Sequence, residues 1–376
     1  MIKNSILLFS LLLIGSCGGD NEEKLTSGVS EIPEPKPTYT TRDATLSFEA
    51  FNAHFYDHDS KLYYRTTQRK QLAEGWTQAI FWDIAMDAYL RTGSKKALDL
   101  VKEIYQGGNE AYSEFNWPDV KLVNDFIYDD MMWWVISLAR GYELTQNQEY
   151  LQKAISGFDY IWEEAYDTQN GGMKWSWKVK GKNACINYPT VIGAVLLYNI
   201  TDDAQYLSKA KNVYSWSKKN LFESNTGRVA DHKIGDSNPG FEDYTYNQGT
   251  CIGAAVMLYQ ATGSGSYLRD AKLAADYTKN VMSDSEGILP AEGDWNEQGV
   301  LKAIFARYLS MLISDGKQEQ YLPWLRHNAA TAWANRDPSR NLMYRNYKVA
   351  CPTGDFQSYE ASSAVGIMQA CPPGKN

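Results

Sequence analysis

Tyr198-Asn199-Ile200-Thr201-Asp202-Asp203-Ala204-Gln205-Tyr206-Leu207 decides the fold, because the chain repeats it. Tyr142, Thr145, Tyr150 and Leu151 form the same pattern, as do Tyr259, Thr262, Tyr267 and Leu268. Tyr89, Thr92, Ala97 and Leu98 form an earlier copy. A weaker fifth puts Ile313 in the first Tyr slot and Tyr321-Leu322 in the second. Copies recur every 53 to 61 residues, and in three of them an Ala (Ala154, Ala210 or Ala271) stands twelve residues after the first Tyr. Self-similarity at such a period marks repeated supersecondary units.

Each copy reads as the end of one helix, a tight turn and the start of another. Before the turn, apolar residues recur at helical spacing, as in Ile192, Val195 and Leu196. After it the pattern is amphipathic, as in Tyr206, Leu207, Ala210, Val213 and Tyr214. Gly93 and Gly263 fall where turns are expected. Strand-type alternation is nearly absent, so the chain is predicted to be all-α. First helices are expected near 75–91, 126–144, 187–200, 246–261, 297–314 and 358–370. Second helices are expected near 95–106, 148–164, 203–220, 265–282 and 318–335, with one more near 46–56. Six hairpins can close into a single-domain (α/α)6 toroid; an open superhelical array is the alternative. Turns within a hairpin are tight, whereas the connections to the next first helix are long, which favours the toroid. Long loops in compact domains are usually functional, so the active face is expected at the N-terminal end of the first helices.

Composition narrows the ligand. The 376 residues carry a net charge of −8, with 26 Tyr, 12 Trp and only 4 His. An acidic chain without clustered Lys/Arg argues against nucleic acid and fits a neutral ligand. Trp and Tyr combine a flat face with a polar edge, which suits carbohydrate. No Gly-rich phosphate loop, no G-x-S-x-G and no metal-binding spacing is present, so neither metal nor cofactor is expected. The long loops hold Trp175, then Asp243-Tyr244-Thr245-Tyr246-Asn247-Gln248, and Trp82-Asp83 lies in the first predicted inner helix. Asp129-Asp130 opens a helix after the first long loop. Glycoside hydrolysis needs two carboxyl groups flanking the scissile bond. Two close carboxylates split their proton affinities, leaving one as the acid. Asp at a helix start is also common for capping alone.

The N-terminus reads as an export signal: Lys3, an apolar run from Ile6 to Ile14, then Gly15-Ser16-Cys17. This resembles a bacterial lipobox, which implies cleavage after residue 16 and lipid on Cys17; a simple cleaved signal is the alternative. Acidic residues after Cys17 resemble a surface-export tag, which implies an outer-membrane lipoprotein at the cell surface, with a periplasmic face as the alternative. Residues 17–44, with Pro33, Pro35 and Pro37, form a tether, and residues 45–372 the catalytic domain. No later stretch is predicted to span a membrane. Cys185, Cys251, Cys351 and Cys371 leave their pairing open.

Tyr128-Asp129-Asp130-Met131-Met132-Trp133-Trp134 resembles the catalytic segment of the glycoside hydrolase family 76 α-1,6-mannanases. Trp82-Asp83, Gly171-Gly172 with Trp175, and Tyr244-Thr245-Tyr246-Asn247-Gln248-Gly249 are similar in order and type, as is Lys302 to Leu309. The resemblance covers roughly residues 45–372. It implies a retaining, endo-acting enzyme on the α-1,6-mannose backbone of fungal mannan. Asp129 would be the nucleophile and Asp130 the acid/base. Trp82, Asp83, Trp175, Asp243, Tyr244, Tyr246, Asn247 and Gln248 would line sugar subsites. Rival readings are another toroidal sugar enzyme, such as an unsaturated-uronyl hydrolase, and a surface glycan-binding lipoprotein without catalysis.

Overall fold

The computed structural model describes residues 38–371; Cys17 and the signal and most of the tether expected around it lie outside them. In chain order the helices are α1 (Thr41–Phe55), α2 (Gly75–Thr92), α3 (Lys95–Ala111), α4 (Trp117–Leu122), α5 (Tyr128–Thr145), α6 (Gln148–Ala165) and α7 (Ala184–Thr201). There follow α8 (Ala204–Leu221), α9 (Thr245–Thr262), α10 (Gly265–Tyr277), α11 (Leu301–Ser314), α12 (Leu322–Ala334) and α13 (Ser358–Ala370). Two short antiparallel ribbons, β1 (Tyr56–Asp57) with β2 (Leu62–Tyr63) and β3 (Lys182–Asn183) with β4 (His232–Lys233), and a few single helical turns such as Glu297–Val300 lie between them.

Helices α2, α5, α7, α9, α11 and α13 form an inner ring, each packed on the next, and α13 returns to pack on α2. The ring is therefore closed, an (α/α)6 toroid rather than an open array. Outer helices pack behind it and behave as amphipathic helices should. Helix α3 buries Ala97, Val101, Ile104 and Tyr105 and leaves Lys95, Lys96 and Lys102 in solvent. Full burial of one such aliphatic side chain is worth about 1.5–3 kcal/mol. Inner helices have neighbours on every side, so their sequences are apolar nearly all round. Helix α7 is long and apolar enough to cross a membrane, which the sequence reading did not foresee. Its window is 78% buried inside the ring, so the apolarity serves packing.

The repeat has a local cause. The residue four after the first Tyr is left-handed in all five copies: Gly93 (φ 64°), Gln146 (58°), Asp202 (57°), Gly263 (71°) and Lys317 (55°). In the first four, its N–H donates to the Tyr carbonyl at 2.7–2.8 Å, closing the helix. The Thr hydroxyl donates back four residues, as Thr92 does to Ala88 O (2.6 Å) and Thr201 to Leu197 O (2.7 Å). It then accepts the N–H two residues on, from Ser94 (3.2 Å) and Asp203 (3.3 Å). Ala154, Ala210 and Ala271 are fully buried, small where neighbouring helices meet.

Several helix ends differ from expectation, α1 starting at Thr41 and α3 running on to Ala111 among them, and two differences bear on the site. Helix α4 was not predicted; Pro118 in its first turn suits a helix start inside the first long loop. Helix α5 starts at Tyr128 because Asp125 is left-handed (φ 60°) and Ile127 extended. The four cysteines of the described residues are free and buried.

Candidate active site

The long connections all lead into N-termini of inner helices, and a cavity of about 350 Å³ opens there. Asp129, Asp130 and Trp133 of α5 line it, with Trp76 from the first turn of α2. Asn183 and Cys185 come from the start of α7, and Tyr244 and Tyr246 from the start of α9. Trp175, Asp231 and Gln298 complete the wall from loops and the turn before α11. Trp133 lies one turn beyond Asp129 on the same helix face. Its ring centroid is 6.2 Å from that of Trp76, and those of Tyr244 and Tyr246 are 6.1 Å apart.

These side chains are held from behind. Asn187 grips both backbone groups of Met173, accepting its N–H (2.7 Å) and donating to its carbonyl (3.0 Å), which fixes the loop carrying Trp175. The Trp175 backbone N–H donates to Gly181 O at 2.9 Å. Asn247 is fully buried and donates to the Asp231 carboxylate at 2.9 Å. Gln298 donates to the Tyr244 hydroxyl at 3.2 Å. Glu292 caps the start of α9, accepting the Thr245 N–H at 2.6 Å. Burial pushes the Glu292 carboxyl up to about 7 and the nearby Lys302 ammonium down to about 8.

The two adjacent carboxyl groups have unequal surroundings. Asp129 is buried, which pushes its carboxyl up to about 6. The Cys185 thiol, the Trp175 indole and the N–H groups of Asp129 and Asp130 oppose that rise by favouring the ionised form. Its Oδ1 nevertheless makes no full hydrogen bond with any described residue, and neither does the Trp175 Nε1. Asp130 is pushed well above the ordinary range, first by desolvation and then by the charge of Asp129. Its carboxylate accepts the Ile127 N–H at 3.0 Å. The arrangement can present one carboxylate and one carboxylic acid to a bound molecule near neutral pH.

Not every expected site residue reaches the cavity. Trp82 is fully buried two turns below Trp76; its Nε1–H donates to Val101 O (2.8 Å) and its ring packs on Tyr105, Trp134 and Tyr150. Asp83 is also a correction: it lies inside the ring, paired with Arg140 (2.5 Å) and facing Arg307 (3.6 Å), which both hold Asp87 as well. Asp243 turns onto Arg228, which donates to it at 2.8 and 3.0 Å, and onto the Tyr277 hydroxyl (3.2 Å). Gln248 is buried with its amide unpartnered, and Asn247 acts through Asp231. Gly171 and Gly172 are left-handed (φ 70° and 74°), and a Cβ on Gly172 would lie 2.4 Å from the Trp216 ring. Sequence reasoning passed over Trp76, Trp133, Cys185, Asp231 and Gln298. The available signal was position, since most of these stand in the first two turns of an inner helix or just before one. Asp231, His232 and Glu242 are the one group with metal-ligand chemistry among the described residues, and His232 Nδ1 is hydrogen-bonded to Asp231 (3.1 Å).

A family model describing glycosyl hydrolase family 76 matches residues 40–371. The chain belongs to this family. It is a glycoside hydrolase of the all-α toroid class. Among solved structures it is similar to the GH76A α-1,6-mannanase of Salegentibacter sp. HEL1_6, at 28% identity and a TM-score of 0.79, covering 88% of this chain and 98% of that one. An inactive variant of that enzyme, with two aspartates replaced by asparagine, is solved with α-1,6-mannotriose (27% identity, TM-score 0.79, 88% and 98% covered). The Lin0763 protein of Listeria innocua matches at 25% identity and a TM-score of 0.78, with 88% and 96% covered. A search of curated proteins finds no match.

Proposed function

We propose that this family 76 chain is a retaining, endo-acting α-1,6-mannanase with Asp129 as nucleophile and Asp130 as acid/base. One observation carries the reading: two adjacent carboxyl groups stand at the start of α5 under a rim of Trp and Tyr, where burial and the charge of Asp129 on Asp130 push both upward and disfavour ionising the two together. Likeness to a mannanase solved with α-1,6-mannotriose supports the choice of sugar. Asp129, the more readily ionised, attacks the anomeric carbon while Asp130 gives its proton to the leaving oxygen. The glycosyl ester on Asp129 is then hydrolysed by water whose proton Asp130 takes back, which restores both groups. Helix N–H groups favour the attacking carboxylate, and Trp76, Trp133, Trp175, Tyr244 and Tyr246 offer faces for sugar C–H surfaces.

The decisive measurement is the product profile on linear α-1,6-mannan with anomer detection. Oligosaccharides released with the α-anomer first support the reading; no release refutes it, and binding without release would favour a glycan-binding role. Azide should restore turnover to Asp130→Ala. Azide rescue of Asp129→Ala to a product of inverted anomer would fix the nucleophile. A lipid on Cys17 holding the enzyme at the outer-membrane surface is the matching proposal for location, with fungal mannan as substrate. Cys17→Ala should release the enzyme into the medium, and surface protease treatment separates the outer face from the periplasm.

A further inference from the structure

A second cavity, of about 1050 Å³, runs beside the cleft along the loop between α6 and α7. The two are walled by the same stretches of chain. Tyr128 faces the groove and Asp129 the cleft; Ser176 and Trp177 face the groove and Trp175 the cleft. Lys182 and Asn183 divide in the same way, as do Lys233 and Asp231.

Charge in the groove is opposite to that of the chain. Seven lysines line it against three carboxylates, Glu164, Asp167 and Asp236, in a protein of net charge −8. Three of the seven are neutralised: Lys121 by Glu164, Lys178 by Asp125 (2.5 Å) and Lys182 by Asp167 (2.8 Å). Lys174 donates only to a backbone carbonyl, that of Glu164 (3.2 Å). Lys180, Lys219 and Lys233 make no ion pair or hydrogen bond with any described side chain. Gathering like charges without carboxylate partners costs repulsion that an anionic ligand would relieve. Aromatic faces stand among them: Trp177 is 41% exposed, and Lys182 lies 5.2 Å over the Trp216 ring. Ammonium groups interleaved with indole rings suit a sugar chain that bears negative groups.

We propose that this groove binds a tetrahedral oxyanion ester, phosphate or sulfate, carried by the glycan strand whose backbone occupies the adjacent cleft. The inference rests on the mannanase reading for the cleft. The test compares neutral linear α-1,6-mannan with the same polymer lightly phosphorylated or lightly sulfated, using the native enzyme and a triple variant, Lys180→Ala with Lys219→Ala and Lys233→Ala. Native enzyme should show a KM about tenfold lower for esterified polymer at low salt, since a few exposed pairs of modest strength sum to that. The advantage should fade in 0.5 M salt as screening shortens. In the variant it should vanish while kinetics on neutral mannan stay unchanged. An advantage for only one ester identifies which of the two the groove takes.

Equal KM values for native enzyme on neutral and esterified polymer would overturn the proposal, as would an advantage that survives in the variant. Lysine-dependent retention on phosphatidylcholine vesicles containing phosphatidylglycerol, with no ester advantage on mannan, would assign the groove to a lipid surface and also overturn it. Failure to cleave neutral mannan would refute the activity instead. The groove is then read without turnover, by affinity electrophoresis of Asp129→Asn protein through gels carrying neutral or esterified mannan.

Discussion

Replacing Asp129 by Asn should make the protein more stable at neutral pH and leave it inactive. The folded chain holds the Asp129 carboxyl at about 6, against an ordinary value of 3.8. Between those values the folded state keeps a proton that the unfolded chain has released. Native stability therefore falls as pH rises from about 4 to about 6, and the loss is complete above that window. At ~1.36 kcal/mol per pH unit, the cost at pH 7.5 is about 3 kcal/mol. Asn has the same shape and no charge, so it escapes the cost and also relieves the charge that bears on Asp130. In a domain of this size each kcal/mol moves the melting midpoint by roughly 2 °C, so a gain on the order of 5 °C is expected at pH 7.5. At pH 4 native and variant should melt together. Calorimetric scans at the two pH values, beside a mannan assay, make the measurement. An unchanged or lower midpoint at pH 7.5 would refute the reasoning. An equal gain at pH 4 would refute it as well, because packing rather than charge would then be the cause.

The same pair should give kcat/KM a bell-shaped pH profile: activity falls below about pH 6 as Asp129 takes a proton, and falls again at higher pH as Asp130 loses its own. A profile that stays flat from pH 5 to 8 would contradict the assignment. Trp82→Ala should cost about 3–5 kcal/mol of stability by urea unfolding while KM of the folded enzyme barely moves, since the ring fills the core and not the cleft. Arg307→Ala leaves Asp83 and Asp87 buried with one cation fewer, and should destabilise by about 3–5 kcal/mol in urea unfolding; an unchanged midpoint would show that Arg140 alone holds both acids. Gly172→Ala should lower the melting midpoint by several degrees, because a Cβ would strike Trp216 from a left-handed backbone; wild-type stability in that variant would show that the loop simply shifts.

The ring was legible because its signal is local and repeated. A Thr bonds back into its helix in four copies, a left-handed residue of varying type follows in all five, and Lys317 keeps that slot even where Ile313 and Gly316 replace the Tyr and Thr. The Asp pair was legible because the helix start that exposes it is itself a sequence feature. Depth along an inner helix was not. Trp82 and Trp76 sit on one helix, and nothing in their neighbours says which one meets solvent. Asp83 and Asp243 look alike as loop or helix acids, but distant arginines, Arg140 with Arg307 and then Arg228, claim them. Asp231 left no trace either, since its place at the cleft depends on Asn247 and on β4 crossing to β3.

Closure of the ring also gives the enzyme a direction. Inner helices all begin at the cleft, so the C-terminus of α13 lies on the far side. There the Cys371 carbonyl accepts the Tyr39 hydroxyl, which brings the first described residues to the face opposite the cleft. The two ends of the described residues therefore lie together, away from the mouth through which a polymer would enter.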